Sequence, residues 1–383
     1  MKKIVGLTVL LAAAMTLSAC SDTSSPGVIQ GTHGSGSLQS SSSSYSKSEN
    51  SSSAPVSSSS SESSSVSGSS SKPVTSSKPV SSSKSVSSSK PVSSSSSSSN
   101  KPPVQYTDGE IIDGKLAADK LYTLKKGETL RVSNGQTLLI NGRLLCNNGS
   151  KIVVEKGGEL LVNGEIELSG DLQLLGNMSL SEDAKVYGEG SMTLESFNDI
   201  DCHGSFKAKI IPPEPKVIDG VTYVGDVLIV NKKISLPETH GSGLSKDLQA
   251  ALQKMRSASG YSMPIISGYR SYIYQIDTFR RWCDLDGEEE ASRYSARPGH
   301  SEHQSGLAAD ITSIYQSYGD TKEGKWVAAH SYEYGLIIRY PEDKEHITGY
   351  MYEPWHLRYL GESTARLVHD SGLTLDEFLG VES

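Results

Sequence analysis

Two short segments in the C-terminal part of the chain contain residue types that bind metals and transfer protons. The first, residues 301–310, reads Ser-Glu-His-Gln-Ser-Gly-Leu-Ala-Ala-Asp and offers His303 and Asp310. The second, residues 353–359, offers Glu353 and His356. A catalytic zinc site needs about three protein ligands, an open position for water and a nearby base. The two segments contain that set, but the spacing alone also fits hydrogen-bonded structural histidines and a solvated surface glutamate.

The elements around these segments must bring the four side chains together. A strand over 307–312 contains Asp310, with His303 in the loop before it, while Glu353 and His356 follow a strand over 347–352. Other predicted elements are strands over 264–267 and 336–340 and helices over 271–283 and 322–334; Leu244, Leu248, Ala251, Leu252 and Met255 form the apolar face of an earlier helix that Ser245 can cap. Strands and helices do not alternate strictly, so we expect an α+β domain with an antiparallel sheet and flanking helices.

Residues 217–361 resemble the VanY-like D-alanyl-D-alanine carboxypeptidases. The resemblance rests on the SxHxxGxAxD pattern at 301–310 and the ExWH pattern at 353–356. It is extended by Ser-Gly-Tyr-Arg-Ser at 267–271 with Gln275, and by residues 334–341. It implies that His303, Asp310 and His356 are the ligands of one zinc ion, that Glu353 is the general base, and that Arg270, Gln275 and Ser301 lie in the substrate cleft.

The resemblance also implies a reaction, which is removal of the C-terminal D-Ala from peptidoglycan stem peptides by water. A D,D-enzyme acting on pentapeptides and an L,D-enzyme acting on tetrapeptides share the same metal motif. Arg270 can bind a free carboxylate with its planar guanidinium, or it can stabilise the turn at Gly268 through an ion pair. The alternatives are a non-catalytic cell-wall-binding lipoprotein and a peptidoglycan endopeptidase. A serine-type enzyme is disfavoured because the chain has no SxxK motif with its companion motifs.

The N-terminus predicts export. Lys2 and Lys3 precede an apolar run that ends in Leu-Ser-Ala-Cys at 17–20, which resembles a bacterial lipobox. We therefore expect a signal peptide over 1–19 and lipidation of Cys20, which would place the protein outside the cytoplasm, anchored to the membrane and facing the cell wall. The alternative is an ordinary secretory signal cleaved near Ala19.

Residues 20–104 are dominated by serine, with Lys-Pro-Val or Lys-Ser-Val recurring every sixth residue between 72 and 92. Such a composition cannot bury enough apolar surface to offset chain entropy, so it predicts a disordered stalk.

Residues 105–212 contain short aliphatic strands broken at Asn134-Gly135, Asn141-Gly142, Asn163-Gly164 and Ser169-Gly170, where tight turns with positive φ are expected. The even spacing favours a β-solenoid over a compact β-sandwich. No catalytic spacing occurs there, so a spacer or adhesion module is favoured over a glycan-binding one. The carboxypeptidase-like domain is expected over 216–383.

Charge and cysteine content exclude other classes. The net charge of -8, with basic residues dispersed, argues against a nucleic-acid partner. Besides Cys20, the cysteines Cys146, Cys202 and Cys283 form no CxxC pair; a Cys146–Cys202 bridge is possible, but buried free thiols are favoured. No obligate protein partner is evident.

Overall fold

The computed structural model describes residues 105–383. The predicted signal peptide, the predicted stalk and Cys20 lie outside the described residues. In the described part of the chain, no helix is both long and apolar enough to cross a bilayer. Cys146, Cys202 and Cys283 are free thiols, the first two of them buried.

Short strands follow one another from residue 107 to residue 211. They are β1 (Thr107–Asp108), β2 (Lys115–Leu116), β3 (Lys120–Leu124), β4 (Thr129–Val132), β5 (Thr137–Ile140), β6 (Arg143–Cys146), β7 (Lys151–Val154), β8 (Glu159–Val162), β9 (Glu165–Leu168), β10 (Asp171–Leu174), β11 (Asn177–Leu180), β12 (Lys185–Tyr187), β13 (Ser191–Leu194), β14 (Ile200–Cys202), β15 (Ser205–Phe206) and β16 (Lys209–Ile211). Buried aliphatic residues alternate with more exposed ones in most of them, as the period of a strand requires.

These strands form three parallel sheets; β1 pairs with β3, and from β2 onward each strand pairs with the strand three positions further along the chain. The sheet orders are β1-β3-β6-β9-β12-β15, β16-β13-β10-β7-β4 and β14-β11-β8-β5-β2. Registers place aliphatic residues above one another, as in Leu144↔Ile166 and Leu160↔Met178. The arrangement is a β-solenoid, which confirms the prediction for this region.

The turn glycines of the solenoid serve two different purposes. Gly135 has a φ of 75°, as predicted. Gly142, Gly164 and Gly170 do not have a positive φ, so the prediction for their turns is wrong. A side chain at Gly164 would instead collide with the backbone carbonyls of the preceding coil, at Asn141 and Gly142. Glycine is required there because the coils approach closely, and Asn163 Nδ2 donates to Asn141 Oδ1 of that coil at 2.9 Å.

The C-terminal region begins with a small antiparallel sheet and continues into a mixed domain. Its strands are β17 (Lys216–Ile218), β18 (Val221–Val224), β19 (Val227–Leu228), β20 (Ile265–Ser267), β21 (Ala308–Ile311), β22 (Leu336–Ile338) and β23 (His356–Tyr359). Its α-helices are α1 (Lys246–Ser259), α2 (Tyr272–Asp286), α3 (Glu288–Ala291), α4 (Glu302–Ser305), α5 (Lys322–His330), α6 (Glu345–Thr348), α7 (Glu362–Ser371) and α8 (Leu375–Leu379). The strands β20-β21-β23-β22 form an antiparallel sheet.

Two predicted elements differ from the structure. The strand predicted over 347–352 is wrong: residues 345–348 form the one-turn helix α6, which ends at Gly349 with a φ of 69°. The strand that joins the sheet instead begins at His356. The helix predicted over 322–334 is α5 followed by a 3-10 turn over Ser331–Tyr334. Ser245 caps α1 as predicted, since its side chain accepts from the amides of Asp247 and Leu248.

Helix α7 covers the last coil of the solenoid, and the two regions share one hydrophobic core. Phe197 of the solenoid lies 5.4 Å from Phe378 of α8, measured between ring centroids. The edge strands β14 and β15 are terminated by side chains of α7: the Cys202 amide donates to Ser363 Oγ at 2.9 Å and the Phe206 amide donates to Asp370 Oδ2 at 2.8 Å. The open end of the parallel stack is therefore protected by the C-terminal region.

Candidate metal centre and active-site cleft

The four sequence-predicted site residues meet at one end of the two central strands of the antiparallel sheet, β21 and β23. Asp310 of β21 and His356 of β23 face each other directly in the strand register. His303 lies on α4, one turn before β21, and that turn ends at Gly306 with a φ of 74°. Glu353 lies in the loop immediately before β23. The chain thus brings two neighbouring strands and the two segments that precede them to a common point.

The distances at this point are those of a compact cluster. His303 Nε2 lies 3.3 Å from Asp310 Oδ2, and His356 Nδ1 lies 3.2 Å from Asp310 Oδ1. One ligand atom from each of the three residues falls within 4.8 Å of the others. Glu353 Oε2 lies 3.5 Å from His356 Nδ1. All four side chains are buried.

Each imidazole is oriented by a hydrogen bond made on its far side. His303 Nδ1 lies 2.7 Å from the Gly268 carbonyl oxygen, so this nitrogen carries the proton and Nε2 presents its lone pair to the cluster. In His356 the two ring nitrogens exchange these roles. Its Nε2 lies 3.4 Å from Glu302 Oε2, and its Nδ1 faces the cluster. A partner of this kind fixes the tautomer of a metal-ligating histidine.

The cluster fits a divalent cation. His303 Nε2 and Asp310 Oδ1 are both buried and have no hydrogen-bond partner among the described residues. Buried polar atoms are normally paired, so two orphaned acceptors aimed at one point indicate that a cation completes them. Two imidazoles and a carboxylate suit zinc, and three protein ligands leave a position for water.

The pKa shifts of the cluster residues also favour a bound cation. Burial would raise the pKa of Asp310, but the adjacent His303 and His356 hold it well below its usual range. Burial raises the pKa of Glu353 to about 8, opposed by His356 and reinforced by Asp310. Burial lowers the pKa of His356, yet the adjacent carboxylates of Asp310 and Glu302 raise it to about 9. A cation that binds here would therefore compete with protons for the same side chains.

A buried network of charges holds this site from behind. Glu302 Oε1 accepts from Arg339 Nε at 2.8 Å and from Arg358 Nη1 at 2.6 Å. Arg339 also donates to both oxygens of Asp376, at 2.6 and 3.1 Å. Burial would raise the pKa of Glu302, but Arg358 and Arg339 outweigh it and lower the pKa. His356 is thereby linked through Glu302 and Arg339 to helix α8.

Sequence reasoning gave no role to Glu302, Arg339, Arg358 or Asp376. Glu302, Arg339 and Arg358 lie inside the motif segments, so their positions could have indicated a role. Charged residues are usually exposed, however, and sequence reasoning therefore assigns them to the surface. All four are at most 1% exposed.

A cleft of about 1140 Å³ opens in front of the cluster. His303, Asp310, Glu353 and His356 form its floor, and Arg270 lines its wall. Arg270 Nε is buried and has no hydrogen-bond partner in the described part of the chain. The predicted cleft residue Arg270 is thus beside the cluster.

Gln275 and Ser301 are placed differently from the expectation for them. Gln275 is fully buried, its Nε2 donates to the Ala296 carbonyl at 2.7 Å, and it does not line the cleft. Its side chain points into the domain interior, although Thr278 and Trp282, three and seven residues further along α2, line the cleft. Ser301 is buried at the start of α4 and is likewise not among the lining residues.

Comparisons with known proteins agree with this geometry. The family model described as VanY, D-alanyl-D-alanine carboxypeptidase, matches residues 241–362. The putative carboxypeptidase YodJ of Bacillus subtilis is 46% identical over 144 residues, which cover 35% of this chain and 53% of that protein. The bifunctional D-Ala-D-Ala dipeptidase and carboxypeptidase VanXYC of Enterococcus gallinarum is 31% identical over 149 residues, which cover 36% of this chain and 78% of that protein.

A solved structure of VanYB in complex with D-alanine-D-alanine is 32% identical and covers 40% of this chain and 97% of that chain, with a TM-score of 0.36. The chain spans 53% to 61% of the length of three of its curated relatives. The family match, together with the 31% identity to VanXYC over 78% of that protein, establishes that the chain belongs to the VanY family.

Proposed function

We propose that this protein is a zinc-dependent carboxypeptidase that removes the C-terminal D-Ala from peptidoglycan stem peptides. The observation that carries the proposal is the convergence of His303, Asp310 and His356 beside Glu353, with the buried acceptors His303 Nε2 and Asp310 Oδ1 left unpaired. Relatives in the same family are named D-alanyl-D-alanine carboxypeptidases, which supports the substrate class.

The chain's own residues divide the chemistry between them. His303, Asp310 and His356 would hold the ion, which when bound acidifies water and polarises a carbonyl group. Glu353 lies at the floor of the cleft next to His356, where its carboxylate can take the proton of the attacking water. The same carboxyl then delivers that proton to the departing amine of D-Ala. No covalent bond to the protein is needed.

Arg270 supplies the exopeptidase character. A carboxypeptidase recognises a free terminal carboxylate, and a guanidinium can bind one through two parallel hydrogen bonds. Arg270 lines the cleft, and its Nε has no hydrogen-bond partner within residues 105–383. An endopeptidase has no use for such a group, so we favour cleavage at the end of the stem peptide.

The same proposal includes the location of the protein. We propose that it acts outside the cytoplasm, anchored by a lipid on Cys20 and held away from the membrane by the serine-rich segment over 20–104. This part of the proposal rests on the sequence. Mass spectrometry of the membrane fraction tests it, because a lipidated protein begins at Cys20 with two or three acyl chains, whereas a Cys20→Ser variant would be released.

The catalytic role of Glu353 gives the decisive test. Glu353→Gln keeps the size of the side chain but cannot accept the proton, so we expect kcat/KM on stem pentapeptide or tetrapeptide to fall at least about 10²-fold. Zinc content per protein should not change, because Glu353 is not among the three converging ligands. Preference between the two peptides distinguishes D,D- from L,D-activity.

Glu345→Gln is the matched control, since Glu345 is an exposed carboxylate paired with Arg293 at 2.6 Å. It should retain full turnover. A zinc-loaded parent protein that hydrolyses neither peptide would support the non-catalytic wall-binding alternative. Hydrolysis of a C-terminally amidated peptide as fast as the free acid would support the endopeptidase alternative.

A further inference from the structure

At about 1140 Å³ the cleft has more room than a terminal dipeptide requires, and one face of α2 lines it. Tyr274, Thr278, Arg281 and Trp282 line it, at the i, i+4, i+7 and i+8 positions of one helical face. Tyr274 is 61% exposed, and Tyr315, which also lines the cleft, is 71% exposed. Exposed aromatic residues around a cleft indicate contact with something larger than D-Ala.

Arg281 is the charged group on this wall. It is exposed, and among the described residues it forms no ion pair with a carboxylate. Its guanidinium carbon lies 5.2 Å from the ring centroid of Trp282. Arg280, the preceding residue of the same helix, is instead paired with Asp277 at 3.8 Å and does not line the cleft.

The surface beneath Arg281 is fixed by contacts of its own. Trp282 meets Tyr294 edge to face, with ring centroids 5.4 Å apart. The Tyr294 hydroxyl donates to Asp286 Oδ2 at the end of α2. A guanidinium supported by an aromatic face keeps its edge hydrogen-bond donors free for an anion.

The spacing of Arg270 and Arg281 suggests how far apart two anions on one ligand would be. Arg281 is eleven positions after Arg270, and α2 begins directly after Ser271. At about 1.5 Å of rise per residue, the Arg281 backbone lies on the order of 15 Å along the helix axis from Ser271, the residue next to Arg270. An extended peptide advances about 3.4 Å per residue, so this distance corresponds to about four residues.

We infer that Arg281, supported by Trp282, forms a second anion-binding subsite for a free carboxylate located three or four residues before the C-terminus of the stem peptide. The inference rests on the proposed function, because the distance between Arg270 and Arg281 locates the second carboxylate only if Arg270 binds the terminal one. Tyr274 then contacts the peptide between the two carboxylates. The subsite makes the enzyme prefer complete stem peptides that carry this carboxylate over peptides in which it is an amide.

The test uses two peptides that are identical except for one group. Both end in D-Ala, and the residue three positions before the C-terminal residue carries a free carboxylate in one and a carboxamide in the other. We expect the parent to favour the carboxylate peptide about five- to tenfold in kcat/KM, as for a charge-assisted hydrogen bond in a partly shielded site. Arg281→Ala should reduce this ratio to about 1, and Arg281→Lys should restore part of it.

Arg280→Ala is the matched control and should keep the parent ratio, since Arg280 is on the same helix but outside the cleft. A parent without the preference, an Arg281→Ala variant that keeps it, or an equal loss in Arg280→Ala would each overturn the subsite. Calorimetric binding of the two peptides to zinc-loaded Glu353→Gln protein gives the same comparison without turnover. Failure of the proposed function is thus separable: it would appear as absent hydrolysis of both peptides, while the binding ratio still tests Arg281.

Discussion

The solenoid and the C-terminal region fill their interiors in opposite ways. Among described residues 105–211, Ser150 is the only buried polar side chain, and the rest of the interior is aliphatic or aromatic with two thiols. The C-terminal region buries Glu302, Arg339, Arg358 and Asp376 in addition to the candidate metal cluster. An apolar interior costs nothing in desolvation, whereas each buried charge must be paired to be tolerated. The solenoid interior therefore needs no charge pairing, whereas the C-terminal region retains buried charge beside the candidate metal cluster.

The two regions nevertheless form one packing unit. Residues of α7 and α8 belong to the same hydrophobic core as the solenoid strands. The domain boundary expected near residue 212 separates two kinds of sequence, but the cores on either side of it are continuous. Charge pairing in one region and aliphatic burial in the other should thus both contribute to a single unfolding transition.

The largest expected effect comes from the buried charges. Glu302→Gln leaves Arg339 and Arg358 without their shared carboxylate, and breaking a buried ion pair in this way costs about 3–5 kcal/mol of unfolding free energy. The His356 ring also loses its carboxylate partner, which should weaken zinc binding about 10- to 100-fold. Urea unfolding and competition with a zinc chelator measure the two effects separately.

Glu165→Gln in the solenoid is the matched control. Glu165 is paired with Arg143 at 3.8 Å and with Lys185 at 3.9 Å on a partly exposed surface, so we expect a change of about 0–1 kcal/mol. Similar losses in the two variants would contradict the contrast between the regions. Unchanged zinc affinity in Glu302→Gln would contradict its role in orienting His356.

A somewhat smaller loss of unfolding free energy is expected from a substitution in the aliphatic interior of the solenoid. Such a substitution tests whether the solenoid and the C-terminal region unfold together. Leu160 in β8 is fully buried, so Leu160→Ala should cost about 2–5 kcal/mol. All three tryptophans of the chain, Trp282, Trp326 and Trp355, lie in the C-terminal region. In a shared cooperative unit, the unfolding midpoint followed by tryptophan fluorescence should fall together with the midpoint followed by circular dichroism.

Leu161→Ala changes the next residue of β8, which faces outward, and should shift both midpoints much less. If Leu160→Ala moves the circular dichroism transition and leaves the fluorescence transition in place, the solenoid unfolds independently of the C-terminal region.

The contrast between the regions also explains what could be predicted from the sequence. The solenoid repeats a local pattern of alternating aliphatic residues, so short windows such as 159–162 are sufficient to identify its strands. The candidate ligands lie in two compact motifs, which local reading also finds. The buried network joins Glu302, Arg339, Arg358 and Asp376 from four separate segments, and no local pattern indicates that they meet.

Errors within the C-terminal region have local causes. The apolar and β-branched residues after His346 favoured a strand, but Gly349 ends the segment as one helical turn. The resemblance places Gln275 in the cleft, whereas in the structure the side chain is buried and its Nε2 donates to the Ala296 carbonyl.

The smallest expected effect lies at the contact between the two regions, at Asp370 of α7. Its Oδ2 accepts from the Phe206 amide of the last solenoid coil at 2.8 Å, and His369 lies 3.3 Å from its other oxygen. Burial would raise the pKa of Asp370, but hydrogen bonds from His369 and Phe206 outweigh it and lower the pKa. A carboxyl whose pKa is lower in the folded state stabilises the fold above its unfolded value of about 4, and this contribution is lost as the pH falls through the folded pKa.

Asp370→Asn should therefore reduce the unfolding free energy by about 1–2 kcal/mol at neutral pH, and the difference from the parent should shrink below about pH 4. Urea unfolding at pH 7, 5 and 3 measures it. Asp201→Asn is the control in the same coil, because Asp201 is 64% exposed in its pair with His203 and should change stability much less. A difference that stays constant down to pH 3 would mean that the Asp370 side chain acts through shape alone, and the charged contact between the two regions would then contribute no stability.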